Sequence, residues 1–103
     1  MNLYRVIAVL REGGNRDNNY KCVLLCGVDE SFKIIEGEWF GYIKNIAEVH
    51  PFVLRNENSF FYGGEEHTSE RTNIGDRLIQ PEIQFTVYGE TEVIYEIISC
   101  HPY

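Results

Sequence analysis

The sequence predicts a mainly β fold, a small antiparallel barrel or curled sheet of about six strands with at most one or two short helices. Three observations carry this expectation. Ile83, Phe85 and Val87 alternate with Gln84, Thr86 and Tyr88 ahead of Gly89-Glu90-Thr91, and a second β-rich run, residues 92–100, completes a hairpin pattern. Residues 3–10 (LYRVIAVL) and 20–28 (YKCVLLCGV) are rich in β-branched and aromatic side chains. Turn formers recur at short intervals between the apolar runs. The chain has 103 residues, 44% of them hydrophobic, which fits a single domain over residues 1–103 and leaves no room for a second core.

Taken in order, the two N-terminal runs form a hairpin across a long polar loop, EGGNRDNN. Both runs are apolar on both faces over part of their length, which predicts packing on either side. Residues 37–50 are ambiguous. Trp39, Ile43, Ile46, Ala47 and His50 fall on one helical face and favour a short helix ending before Pro51. Gly41, which costs a helix interior about 1 kcal/mol, and a β-friendly composition keep a strand pair as the alternative. Residues 52–54 and 59–62 read as short strands flanking the turn RNEN. Residues 63–76 (GGEEHTSERTNIGD) are almost devoid of apolar side chains and predict a surface loop or hairpin tip. Leu78 and Ile79 form a brief strand stopped by Pro81. No internal repeat is present.

Sixteen acidic residues against nine basic give a net charge of −7, which repels phosphate backbones on average and disfavours nucleic acid as a partner. Residues 51–103 hold −6 of that charge, so the acidic face is expected from the second half. The run at residues 3–10 is interrupted by Arg5 and lacks a small-residue cleavage site, which makes it a first strand rather than a signal peptide. No apolar stretch approaches the roughly 20 residues that span a bilayer. Three cysteines, Cys22, Cys26 and Cys100, are an odd number, which suits a reducing compartment and a cytoplasmic location.

Catalytic and cofactor chemistry finds little support. Cys22 and Cys26 lie four apart on a strand, on one face but roughly 13 Å apart, too far for one metal ion. Neither C-x-x-C nor H-E-x-x-H occurs, so inert thiols and no metal or other cofactor are expected. His67 sits beside Glu65, Glu66 and Glu70, which would keep it cationic and a poor general base. Gly13-Gly14 and Gly63-Gly64 lack the remainder of any phosphate-binding motif and read as turns needing positive φ.

The segment Asn73-Ile74-Gly75-Asp76-Arg77-Leu78 resembles the G-D-x-[LI] turn that enters a strand in PUA-like and ASCH-like RNA-binding barrels. Those families use basic grooves, whereas the flanks here are acidic, and the role expected of Gly75-Asp76 is turn geometry. In composition and size the chain resembles the immunity proteins of bacterial toxin systems and phage-encoded inhibitors. That resemblance implies a non-catalytic protein that presents carboxylates to a basic surface of a partner protein.

Seven Tyr, six Phe and one Trp are many for a small domain; most are expected to fill its core, and several adjoin acids. Tyr62 before Gly63-Gly64-Glu65-Glu66, Glu70 in the same stretch, and Tyr88 before Gly89-Glu90 place amphipathic rings beside negative charge near turns, as an interface for basic residues would. The candidate partner-binding residues are Tyr62, Glu65, Glu66, Glu70, Tyr88 and Glu90. The rival expectations are a small β-barrel holding a ligand in an apolar cavity, or one binding RNA through Arg5, Arg11, Arg16 and Lys21 around the first hairpin.

Overall fold

The computed structural model describes residues 2–63 and 68–103. Among them, antiparallel strands follow one another around a closed barrel in which each pairs with its neighbours in the chain and the last pairs with the first. They are β1 Asn2–Glu12, β2 Asn15–Val28, β3 Trp39–Lys44, β4 Val49–Arg55, β5 Ser59–Gly63, β6 Thr68–Thr72, β7 Gln84–Tyr88 and β8 Glu92–Pro102. The antiparallel barrel is the expected one, with eight strands instead of about six. Among the described residues the sole helical element is a 3₁₀ turn, Ile74–Asp76, and no helix is long and apolar enough to cross a membrane.

Strand alternation sends one set of side chains inward: Val6 and Ala8 from β1, Cys22, Leu24 and Cys26 from β2, Phe52 and Leu54 from β4, Phe60 from β5, Phe85 and Val87 from β7, and Tyr95 and Ile97 from β8, all buried in one cluster. Phe52 and Phe60 meet with ring centroids 4.3 Å apart, and Phe85 stacks on Tyr95 at 5.7 Å. A barrel of this strand number is narrow enough for its side chains to fill.

The up-and-down order puts the loops at residues 29–38, 56–58 and 73–83 at one end, the floor, and the turns at residues 13–14, 45–48 and 89–91 at the other, the mouth. The floor is closed by Ile34, Ile74 and Ile79, all buried. The Ile79 amide donates to the Phe32 carbonyl at 2.7 Å, and Lys33 Nζ donates to the Asp76 carbonyl at 2.7 Å. The Gly75 amide donates to the Glu57 carbonyl at 3.0 Å, and a Cβ on Gly75 would stand 2.5 Å from that oxygen. Gly75 is therefore required by close approach to the β4–β5 turn, and not by turn geometry alone.

Several sequence expectations need correction. The first hairpin has no long loop: β1 and β2 stay paired to Glu12↔Asn15 around Gly13 and Gly14, both at positive φ, as a two-residue primed turn requires. On the outer face of β1 and β2 packing is partial, as Val9 and Val23 are buried while Ile7 and Leu25 remain partly exposed. Residues 37–50 hold β3, a turn and the start of β4, not a helix. Gly41 decides this locally. It faces inward, where a Cβ would strike the Val23 carbonyl and lie 2.8 Å from the Phe52 ring, so its missing side chain admits the neighbouring strand. Asn45 Oδ1 then accepts from the Ala47 and Glu48 amides at 3.0 and 2.8 Å, closing the turn. The stretch 63–76, expected to be a surface loop or hairpin tip, belongs to the β5–β6 hairpin and also contains all of β6 and the 3₁₀ turn, while Leu78 and Ile79 form no strand. The segment resembling the PUA-like turn accordingly leads into the floor loop and not into a strand.

Candidate functional site

Among the described residues the floor is plugged and the mouth is not, so the barrel interior they enclose opens at the mouth. Mouth-end residues of β4 leave β5, with which β4 pairs only over Val53–Arg55, and the divergence widens the opening. The result is a bowl of about 600 Å³ between Ile43, Val87 and Val93 on its apolar walls and Tyr62, Glu70 and Tyr95 among its polar groups, with His50, Thr68, Glu90 and Thr91 toward the rim.

Glu70 is the centre of this arrangement. β6 pairs Glu70 with Phe60 of β5, and both point inward, so Tyr62 two residues along β5 reaches Glu70 diagonally. The Tyr62 hydroxyl donates to Glu70 Oε1 at 2.6 Å. The other carboxylate oxygen lies against Gly89 at the start of the β7–β8 turn, where any Cβ would collide with it. Glu70 is half-buried, yet among the described residues no Lys, Arg or His stands within ion-pair distance of it. A carboxylate withdrawn from water without a cation is the costly state that proteins ordinarily avoid.

The surrounding groups are held as neutral donors. Burial pushes the Tyr62 phenol well above its ordinary range, and the hydrogen bond to Glu70 and that carboxylate's charge push it further. Burial likewise raises Tyr95, with smaller contributions from Cys22 and Glu70. Deeper in the barrel, burial pushes the Cys22 and Cys26 thiols up to about 12. Among the described residues no three His, Cys, Asp or Glu side chains are grouped to hold a metal ion. The bowl thus offers a carboxylate, hydroxyl donors and apolar walls.

Of the residues singled out from sequence, Tyr62, Glu70 and Glu90 come together at the mouth. Glu65, Glu66 and His67 lie outside the described residues. Tyr88 points the other way, 42% exposed on the barrel exterior, over a separate depression lined by Asn58, Arg71, Asn73 and Asp76. Glu70 itself is no exposed loop residue but an inward strand residue. Sequence reasoning missed Tyr95, His50, Thr68 and Gly89. The alternation Val93, Tyr95, Ile97 does put Tyr95 on the inner face, but only barrel closure brings it beside β6. Of the cations expected around the first hairpin, Arg16 and Arg11 are taken by Glu96 of β8: Arg16 Nε donates to Glu96 Oε2 at 2.8 Å and Arg11 Nη1 stands 3.5 Å from Oε1.

No family model, curated protein or solved structure matches this chain.

Proposed function

We propose that this protein is a non-catalytic binding module whose acidic barrel mouth accepts a Lys or Arg side chain from a basic surface of a partner protein, in the manner of acidic inhibitors and immunity-type proteins. The observation that carries the proposal is Glu70, a half-buried carboxylate oriented by Tyr62 and left without a cation among the described residues. An entering ammonium or guanidinium neutralises it and accepts nothing in return, so Tyr62 keeps its bond while the second carboxylate oxygen receives the newcomer. Glu90 on the rim adds long-range attraction that speeds encounter. Tyr62 and Tyr95 supply aromatic walls to the incoming stem.

A second use of the same bowl is favoured by its size. A volume of about 600 Å³ lies inside the range of small-molecule sites, roughly 300–1,000 Å³, and a free cationic ligand fits the same chemistry.

The test is binding of a short Arg-rich peptide and of free ethylguanidinium, followed by amide chemical shifts. Shifts at Tyr62, Glu70 and residues 87–93 with the peptide, reduced at least about thirtyfold in affinity by Glu70→Gln, support docking of a protein cation. Equal affinity for free ethylguanidinium selects the small-ligand use. Shifts elsewhere, or an unaffected Glu70→Gln variant, refute both.

A further inference from the structure

The outer face of β2, β3 and β4 contrasts with the rest of this acidic chain. Its outward positions are Lys21, Val23 and Leu25 on β2, Phe40, Tyr42 and Lys44 on β3, and Val49, Pro51, Val53 and Arg55 on β4, without a single carboxylate among them. Phe40 is 63% exposed although large and apolar. Register places the residues in rows: Arg5↔Leu25↔Phe40↔Val53↔Phe61 in one, and Lys21↔Lys44 directly opposite in another. Like charges directly across a ladder repel. Arg5, Lys21 and Lys44 nonetheless have no ion-pair partner among the described residues, in a chain with sixteen carboxylates. What the lysine pair lacks is an anion between them.

We propose that this face binds a single strand of nucleic acid, with bases on Phe40 and Tyr42 and phosphates on Lys21, Lys44 and Arg5. Phe40 and Tyr42 are two residues apart on one strand, roughly 7 Å, about twice the 3.4 Å rise of a stacked strand and so a match to an extended one. Sheet aromatics flanked by cations are the common device for holding unpaired bases. Arg55, stacked 4.0 Å above the Phe61 ring and 3.9 Å from the Glu38 carboxylate, bounds the row and is not counted among the phosphate contacts. A second copy of this chain is a poorer occupant, because a two-fold contact would set these cations against themselves. The face is independent of the mouth, which lies at the barrel end, and its convex curvature suits a strand better than a flat bilayer.

The experiment is fluorescence anisotropy of the whole protein with short labelled oligouridylate and oligothymidylate at about 50 mM salt, where non-specific binding is strongest. Expected is a dissociation constant on the order of 10–100 μM, weakened about 5- to 150-fold by Phe40→Ala and by Tyr42→Ala. Three phosphate contacts predict an affinity loss of about thirtyfold for a fivefold rise in salt, and Lys44→Gln should lower that logarithmic slope by about 0.7. Thermal unfolding checks that the variants keep the barrel. Binding to one polymer alone supports the proposal and identifies RNA or DNA. Absence of binding to both overturns it, as does binding that the aromatic variants leave unchanged. Retention on anionic phosphatidylserine vesicles without oligonucleotide binding overturns it in favour of a membrane surface.

Discussion

Replacing Gly89 with alanine tests whether Glu70 is as firmly placed as the mouth requires. The backbone there is not in the left-handed region, so alanine is allowed conformationally and by itself stabilises about 0.4–1 kcal/mol by restricting the unfolded chain. Its Cβ, however, would occupy the position of the Glu70 carboxylate. The carboxylate is the flexible end of a side chain and can leave, but only by releasing the Tyr62 hydroxyl held at 2.6 Å. A hydrogen bond to a charged group contributes about 1.5–3 kcal/mol, so the net expectation is a loss of about 1–2 kcal/mol, a fall in Tm of about 5–10 °C for a chain of this size. In a Glu70→Ala background nothing obstructs the new methyl, and the same Gly89→Ala change should become mildly stabilising. Urea unfolding of the wild type, both single variants and the double variant gives the coupling directly. An equal effect of Gly89→Ala in both backgrounds would show that Glu70 is not clamped between Tyr62 and the β7–β8 turn.

Glu96, 6% exposed, has its carboxyl held below the usual carboxylate range by the Arg16 hydrogen bond first, then by Gln84 and the Arg11 charge. Its contribution is therefore complete above the unfolded glutamate value, about 4.3, and lost as pH falls through the lower folded value. Glu96→Gln should cost about 1–3 kcal/mol near pH 7, and the gap to wild type should shrink below about pH 4; a constant gap in acid denaturation curves would contradict the pairing. Burial pushes Cys22 and Cys26 up to about 12, so both should resist a thiol reagent near pH 8 in the native protein, while all three thiols titrate in denaturant; rapid native labelling of Cys22 would refute its burial. Phe60→Ala, removing a fully buried ring, should cost about 3–5 kcal/mol in urea unfolding.

The hairpins were legible where the inner face is apolar. Phe85 and Val87 opposite Tyr95 and Val93 alternate visibly, and the structure pairs Phe85↔Tyr95 and Val87↔Val93. The two N-terminal runs were legible for the same reason, although the polar residues of β2 from Asn15 to Asn19 concealed that both strands run through the supposed loop. Residues 37–50 misled because Trp39 and Ile43 are both i, i+4 on a helix and i, i+4 on one face of a strand. Gly41 between them reads in the sequence as a helix breaker, whereas in the barrel it lets the Val23 carbonyl and the Phe52 ring approach.

The mouth was half legible, and β6 explains why. Tyr62, Glu70 and Glu90 stand out in the sequence as aromatic or acidic residues near turns, and they do converge, but in the sequence Glu70 reads as part of a solvated loop. Its strand carries Thr68, Glu70 and Thr72 on the inner face, so no apolar alternation exists for a period-two search to detect. That composition reflects position. Thr72, near the floor, is buried and donates through Oγ1 to the Thr86 carbonyl at 2.8 Å, satisfying itself within the wall. Asn73, the next residue, continues the seam by accepting the Thr86 amide on Oδ1 at 2.7 Å, because β6 and β7 share only Arg71↔Tyr88 and Thr72↔Val87. Glu70, one step nearer the mouth, finds only Tyr62 among the described residues. A strand that turns polar side chains inward in an otherwise apolar barrel marks where the interior meets solvent, and Glu70 is the one such residue whose charge its own fold leaves without a described counterion.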